Sequence, residues 1–279
     1  MKRILAIITL AVLCIAAGAK ERTIKVLAIG NSFSWDAVEQ NLHQIAAADG
    51  TTLVIGNMYI GGCSIDRHVR NLKADLPEYR YMKISADGSK KVTEPFRLSQ
   101  AIFDEEWDVV TVQQSSPLSG KPESYGQLSE LVDWIRRNAP QAKILFHQTW
   151  AYAVGADHPA FKDYGCDQKK MYGDIVSTVL QECGSAGIDG IIPCGTAIQY
   201  AREASGDYDF TRDGYHMGLG KGRYTLACTW YEAISGRSIR GNSYLPDGSE
   251  EGTAAVSEEE RRLIQRAVHR ACRKMRLNP

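Results

Sequence analysis

The sequence predicts an α/β fold, a three-layer α/β/α sandwich on a mostly parallel five-stranded sheet with an inserted β-hairpin. Short apolar runs rich in β-branched residues recur along the chain, and segments with helical periodicity separate them. This alternation is typical of a parallel sheet that carries helices on both faces. The predicted strands are Ile24–Ile29, Leu53–Gly56, Val109–Val112, Ile144–Phe146 and Ile191–Ile192.

The segments around these strands show the 3.6-residue periodicity of amphipathic helices. One segment differs: Tyr79–Thr93 carries "ADGSK" at its centre, which predicts a β-hairpin inserted between the alternating units. The predicted helices lie near residues 36–48, 64–73, 97–105, 124–138, 167–183, 195–204, 219–235 and 257–275.

The N-terminus has the order of a secretory signal peptide over residues 1–19: a charged start, an apolar run and small residues at the end. The mature chain is expected to begin at Lys20, to form a single domain over 20–279, and to be exported to the periplasm or the cell exterior. A lipoprotein anchored through Cys14 is less favoured, because the bulky Leu13 precedes the cysteine where a small residue is expected. No other apolar run is long enough to span a bilayer.

Composition argues against several classes of partner. The formal net charge is zero and no basic block could follow a phosphate backbone, so nucleic acid is not expected as a partner. Six cysteines follow the signal peptide, an even number in a compartment that permits disulfides, but sequence alone cannot pair them. No metal site is expected, because no pair of candidate ligands has His-Glu-x-x-His or Cys-x-x-Cys spacing.

Ligands of open parallel sheets bind beyond the carboxyl ends of the strands, so the residues that follow each strand are the candidate site. Ser32 follows the first strand and precedes a helix, where it could cap the helix or serve as a nucleophile near free backbone N–H groups. The segments "YIGGCS", "QQSSP" and "HQTWAY" follow the next three predicted strands, and "RDGYHMG" lies late in the chain.

These segments supply the parts that acyl transfer needs. Asp213 and His216 lie three residues apart, so one turn of loop could bring the carboxylate to the imidazole. Backbone N–H groups of Ser32 and Gly62 could bind an oxyanion, and a glutamine side chain could add a third donor. Adjacent strand residues point to opposite faces, so only one of Gln113 and Gln114 is expected to serve.

The constellation resembles the SGNH or GDSL hydrolase superfamily, which implies a flavodoxin-like fold and a Ser-His-Asp triad. The Gly-Asp-Ser block of that superfamily appears here as Gly30-Asn31-Ser32, the oxyanion glycine as Gly62, and the Asp-x-x-His block as "RDGYH". The usual Gly-x-Asn-Asp block is absent. In its place "QQSS" is similar to the Gln-Gly-Glu-Ser block of the carbohydrate acetylesterases, an alignment that favours Gln113 over Gln114 as the donor.

The predicted function is therefore that of a secreted serine esterase without a cofactor, acting on O-acyl esters and in particular on O-acetyl esters of carbohydrate. Aromatic faces suit sugar rings, and several aromatic and polar side chains lie beside the candidate blocks. The alternative is a noncatalytic glycan-binding protein on the same fold, favoured by Asn31 and the altered third block but not by the retained triad. The predicted substrate-binding residues are Asn31, Trp35, Tyr59, Gln148, Trp150 and Tyr215.

Overall fold

A seven-stranded sheet forms the centre of the molecule in the computed structural model, which describes residues 22–207 and 209–275. The strand order is β4-β3-β2-β1-β5-β6-β7. All pairs are parallel except β2–β3 and β3–β4, which are antiparallel. The strands are β1 (Arg22–Gly30), β2 (Thr51–Tyr59), β3 (Tyr79–Ile84), β4 (Lys90–Phe96), β5 (Val109–Val112), β6 (Lys143–His147) and β7 (Gly190–Ile192).

The α/β architecture and the five parallel strands agree with the prediction, whereas the strand count of five is wrong. The inserted hairpin does not stand apart from the sheet. Its first strand, β3, pairs with β2 from Ile55–Ile84 to Tyr59–Arg80, so both hairpin strands extend the sheet at that edge. The hairpin thereby supplies the hydrogen-bond partners that an exposed β2 edge would lack.

The helices pack on the sheet, and most of them agree with the predicted segments. The predicted helix over 36–48 is instead two short helices, separated at Asn41, whose φ of 61° lies in the left-handed region. The predicted helix at 97–105 is reduced to four residues. The helices are α1 (Ser32–Val38), α2 (Leu42–Ala48), α3 (Ile65–Lys73), α4 (Leu98–Ala101), α5 (Leu128–Asn138), α6 (Gln168–Ser185), α7 (Cys194–Ser205), α8 (Lys221–Ser235) and α9 (Glu258–Lys274).

The parallel strands are apolar along most of their length because helices cover both faces of the sheet. All four residues of β5 are buried, and so are the last five residues of β1. Gly56 of β2 faces Trp107, and a Cβ there would lie 2.9 Å from the indole. The close contact of Trp107 with the strand therefore requires glycine at this position.

The cysteines and the N-terminal segment bear on the predicted export. Five of the cysteines after the predicted signal peptide are free thiols in the structure: Cys63, Cys166, Cys183, Cys194 and Cys228. All of these except Cys166 are buried. The predicted signal peptide at 1–19 and Cys14 lie outside the described residues. Within the described ranges, no helix combines the length and apolarity that a membrane crossing requires.

The junction between β7 and α7 provides a test of the packing. A Cβ on Gly195 would lie 2.0 Å from the carbonyl oxygen of Thr149, a backbone atom that cannot move aside without distorting the segment after β6. We expect Gly195→Ala to lower the free energy of unfolding by about 2 kcal/mol or more. The matched control is Gly173→Ala within α6, where a Cβ meets nothing within 4 Å. This control should be neutral or stabilising by up to about 1 kcal/mol. Equal urea midpoints for the two variants would contradict the assigned packing.

Candidate active site

Ser32 lies at the carboxyl end of β1, at the first residue of α1. Asn31 is the N-cap of that helix, and its side-chain oxygen accepts a hydrogen bond from the backbone N–H of Phe33 at 3.0 Å. Asn31, and not Ser32, therefore caps the helix. Ser32 is partly exposed and its hydroxyl is available for another role.

The structure brings Ser32, His216 and Asp213 together although 184 residues separate the serine from the histidine. The Oγ of Ser32 lies 2.9 Å from Nε2 of His216, and Nδ1 of His216 lies 2.6 Å from Oδ2 of Asp213. The carboxylate oxygen accepts from Nδ1–H, which leaves Nε2 free to accept the serine proton. The three side chains thus have the connectivity of a serine-hydrolase triad.

Asp213 is held in a tight turn that keeps its carboxylate ionised. Its Oδ1 accepts hydrogen bonds from the backbone N–H groups of Tyr215 and His216, at 3.1 and 2.7 Å. Partial burial acts to raise the pKa of Asp213, but the hydrogen bonds from the His216 ring and from the two backbone groups lower it below its ordinary value. The acid is therefore charged where it contacts the imidazole.

A buried carboxylate fixes the loop that carries Asp213 and His216 against the helix that carries Ser32. Asp36 of α1 is 1% exposed and bonds to the guanidinium of Arg223 through Nε and Nη2, at 3.0 and 2.7 Å. Arg212 donates to both of its oxygens, at 3.0 and 3.1 Å, and the backbone N–H of Met217 donates to Oδ2 at 2.9 Å. Arg212 and Met217 flank the two triad residues of the loop, so Asp36 sets the position of that loop relative to Ser32.

Gly62 lies in the exposed turn after β2, with a φ of 61° that favours glycine. The turn lies against the nucleophile segment, because the side-chain amide of Asn31 donates to the carbonyl of Cys63 at 3.0 Å. The backbone N–H of Ser32 is at the first position of α1 and has no acceptor within the helix. The backbone N–H groups of Ser32 and Gly62 are thus the two donors of the predicted oxyanion hole.

The prediction that a glutamine side chain completes this hole needs correction. The Nε2 of Gln113 donates to Oδ1 of Asn31 at 2.6 Å, and its Oε1 lies 2.9 Å from Nδ1 of His147. Gln114 donates to Ser124 and accepts from backbone N–H groups. Both glutamines are buried, so each amide serves the protein interior rather than a substrate.

The contacts of Gln113 belong to a buried chain of hydrogen bonds that crosses three strand ends. His147, at the end of β6, donates from Nδ1 to the oxygen of Gln113; Gln113, after β5, donates to the oxygen of Asn31, after β1. Burial lowers the pKa of His147 to about 3, so its ring is neutral. Asn31, predicted to bind substrate, is 2% exposed and instead orients the start of α1.

Two other predicted substrate-binding residues are also interior. Trp150 is fully buried, stacks on Phe33 with 3.9 Å between ring centroids, and donates its indole N–H to the carbonyl of Tyr215 at 2.6 Å. Gln148 is fully buried and accepts from the backbone and hydroxyl of Thr196. These predictions are wrong because both side chains, which follow β6, are buried and bond to other parts of the protein.

The remaining predicted aromatic residues are half-buried, and one of them, Tyr215, contacts a triad residue. Tyr215 lies against the ring of His216, with 4.2 Å between centroids. Trp35 packs edge-on against Tyr59 at 5.1 Å. His158 also packs against Tyr215, at 4.9 Å; partial burial first and the nearby His216 second lower its pKa.

Sequence reasoning missed the positioning role of Asp36, Arg212 and Arg223 entirely. Asp36 is separated from Arg223 by 187 residues, and no local pattern marks either residue. The only available signal was a charged residue on the apolar-rich start of a predicted helix, one turn after the candidate nucleophile.

Replacement of Asp36 tests the anchoring of the loop. Asp36→Asn leaves the buried guanidinium of Arg223 without its full counter-charge, and we expect the free energy of unfolding to fall by about 3 kcal/mol. Asp66→Asn, at an exposed position in the first turn of α3, is the control and should change stability by less than about 0.5 kcal/mol. Urea unfolding measures both. An Asp36→Asn variant as stable as the control would show that the carboxylate does not hold the loop.

The buried histidine gives a pH-dependent prediction. The pKa of a histidine in an unfolded chain is about 6.5, whereas burial lowers the pKa of His147 in the folded protein to about 3. The unfolded state therefore binds a proton that the folded state excludes, and this contribution to stability is lost as the pH falls from about 6.5 towards 3. Between pH 7 and 5, His147→Asn should lose about 2 kcal/mol less stability than the wild type. Equal losses in urea unfolding at the two pH values would refute the neutral, buried state.

Known structures share this fold. A solved structure of a lipase/acylhydrolase from Enterococcus faecalis superposes with a TM-score of 0.50 at 14% identity, covering 77% of this chain and 96% of that one. A candidate SGNH hydrolase from Slackia heliotrinireducens gives a TM-score of 0.53 at 18% identity, covering 76% and 98%. At these identities the likeness shows the fold alone, which is similar to that of SGNH hydrolases. No curated protein matches the sequence.

Two further matches cover most of the chain at the level of sequence. The crystal structure of a DUF4886 family protein from Bacteroides uniformis is 47% identical, with a TM-score of 0.86, and the match covers 90% of this chain and 95% of that one. The model of the same family, a domain of unknown function, matches residues 25–269. The chain therefore belongs to the DUF4886 family.

Proposed function

We propose that this protein is an exported serine esterase that hydrolyses O-acyl esters through an acyl-enzyme. The observation that carries the proposal is the continuous Ser32–His216–Asp213 chain, with 2.9 and 2.6 Å between the hydrogen-bonded atoms, at the carboxyl ends of the parallel strands. Binding alone requires no such chain, which argues against a noncatalytic glycan-binding protein. The SGNH hydrolase fold supports the same reaction class.

In the proposed mechanism each step uses a named group. Nε2 of His216 accepts the Ser32 proton as Oγ attacks the ester carbonyl carbon, and the ionised Asp213 stabilises the imidazolium that forms. The N–H groups of Ser32 and Gly62 stabilise the oxyanion. His216 then donates its proton to the leaving alcohol. A water molecule, deprotonated by the same nitrogen, attacks the acyl-enzyme and releases the carboxylic acid.

We propose further that the acyl group is acetyl and that the alcohol is carbohydrate. Tyr215 contacts His216, and Trp35 and Tyr59 are half-buried aromatic side chains that pack against each other. Aromatic faces pack well against sugar rings. The signal-peptide pattern at 1–19 supports a periplasmic or extracellular location, where such esters would be met.

Replacement of the nucleophile tests the mechanism. Ser32→Ala should lower kcat on p-nitrophenyl acetate by about 10⁴-fold or more, because it removes the oxygen that forms the acyl-enzyme. A fluorophosphonate reagent should label the wild type and fail to label this variant. Ser177→Ala, on the exposed face of α6, is the control and should keep both properties. Retained turnover in Ser32→Ala would refute the proposed nucleophile, and a wild type without esterase activity would favour the noncatalytic alternative.

A further inference from the structure

A cleft of about 710 Å³ opens beside the nucleophile helix. Two of its lining residues, Trp35 and Leu219, each lie three residues beyond a triad member, Ser32 and His216 respectively. The opposite wall comes from the inserted hairpin, and the third wall comes from the loop before α9. The cleft is thus lined in part by the two chain segments that carry Ser32 and His216.

Side-chain contacts tie these walls together. On the hairpin, Nη1 of Arg80 bonds to the buried carboxylate of Glu39 at 2.8 Å, and its guanidinium lies 4.9 Å from the ring centroid of Trp35. Lys90, on the second hairpin strand, forms an ion pair with Glu250 of the loop before α9. The hairpin is therefore a fixed wall of the cleft.

The charges that line the cleft occur largely as opposite pairs. Arg80 is paired with Glu39, Lys90 with Glu250, and Arg223 with Asp36. Such a lining offers many hydrogen-bond donors and acceptors but little net charge. It suits a neutral polyhydroxylated ligand better than an acidic polymer, which would meet no excess of positive charge. It also suits such a ligand better than a long apolar chain, which would desolvate these ion pairs.

Two side chains add specific contacts for such a ligand. Trp35 is half-buried, so part of its indole faces the cleft as an aromatic surface. Gln40, also in the lining, has a buried side-chain oxygen to which no described residue donates. An aromatic surface beside hydrogen-bonding groups matches the apolar faces and hydroxyl edges of a sugar ring.

We infer that this cleft is the subsite for the alcohol part of the ester and that it takes uncharged saccharide units, with Trp35 as the stacking surface and the hairpin as the wall. The inference rests on the proposed esterase function for its assignment to the alcohol. An acetyl group needs only a small space at the oxyanion hole, so a cleft of this volume serves the larger part of the substrate. The inserted hairpin then determines substrate specificity.

Binding without chemistry tests the cleft directly. Isothermal titration with xylotetraose, cellotetraose and tetragalacturonate should show binding of at least one neutral tetrasaccharide in preference to the acidic one. Trp35→Ala should weaken that binding about tenfold, whereas Trp35→Tyr should retain most of it. Lys90→Met, an exposed change that folding should tolerate, should weaken it about threefold. Phe103→Ala, which removes an exposed aromatic ring outside the cleft lining, is the matched control and should bind as the wild type.

The same variants separate this inference from the proposed function. Acetate release from chemically acetylated xylotetraose and cellotetraose is compared with hydrolysis of p-nitrophenyl acetate. In Trp35→Ala, kcat/KM for the acetylated tetrasaccharide, divided by kcat/KM for p-nitrophenyl acetate, should fall about tenfold. Neutral oligosaccharides that bind through Trp35 to a protein without esterase activity would overturn the function but support the cleft. Esterase activity that depends on Ser32, with no neutral oligosaccharide bound or with equal binding by Trp35→Ala, would overturn the cleft assignment alone.

Discussion

The buried contact of Asp36 with Arg212, Arg223 and the backbone of Met217 is the constraint on which the site depends. The nucleophile lies near the N-terminus and its base near the C-terminus, so no local structure brings them together. A carboxylate that is 1% exposed is costly unless every lone pair is used. Here two guanidinium groups and one N–H satisfy it, and two of these partners, Arg212 and Met217, flank the triad acid and base in the loop.

The hydrogen-bond chain from His147 through Gln113 to Asn31 explains why an amide stands where the resembled superfamily has Asp. The side chain at this position must accept from Gln113 and from the N–H of Phe33, and it must also donate to the carbonyl of Cys63. A carboxylate could do only the first two and would face that carbonyl oxygen without a proton between them. The amide of Asn31 therefore fits the hydrogen bonds that Gln113, in place of the usual third block, makes in this chain.

Sequence patterns were informative where the determining contacts are local. The strand Val109–Val112 was predicted to the residue because it is buried on both faces, and the Asp213–His216 spacing marks a single turn. The second strand was predicted too short because Asn57, a polar residue within it, is buried by hydrogen bonds to Ser34 and Glu39. The role of Gln113 escaped prediction because its partners Asn31 and His147 are distant in the chain.

The hairpin that extends the sheet also anchors the nucleophile helix from its other side. Glu39, at the C-cap of α1, accepts from Arg80 of the hairpin and from Asn57 of β2, whereas Asp36, one turn earlier, binds the C-terminal loop. A helix of seven residues has little stability of its own, so these contacts and not its intrinsic propensity hold Ser32 in place. The edge insertion and the triad are therefore coupled through α1, and a change in the hairpin would alter the position of the nucleophile as well as the wall of the cleft.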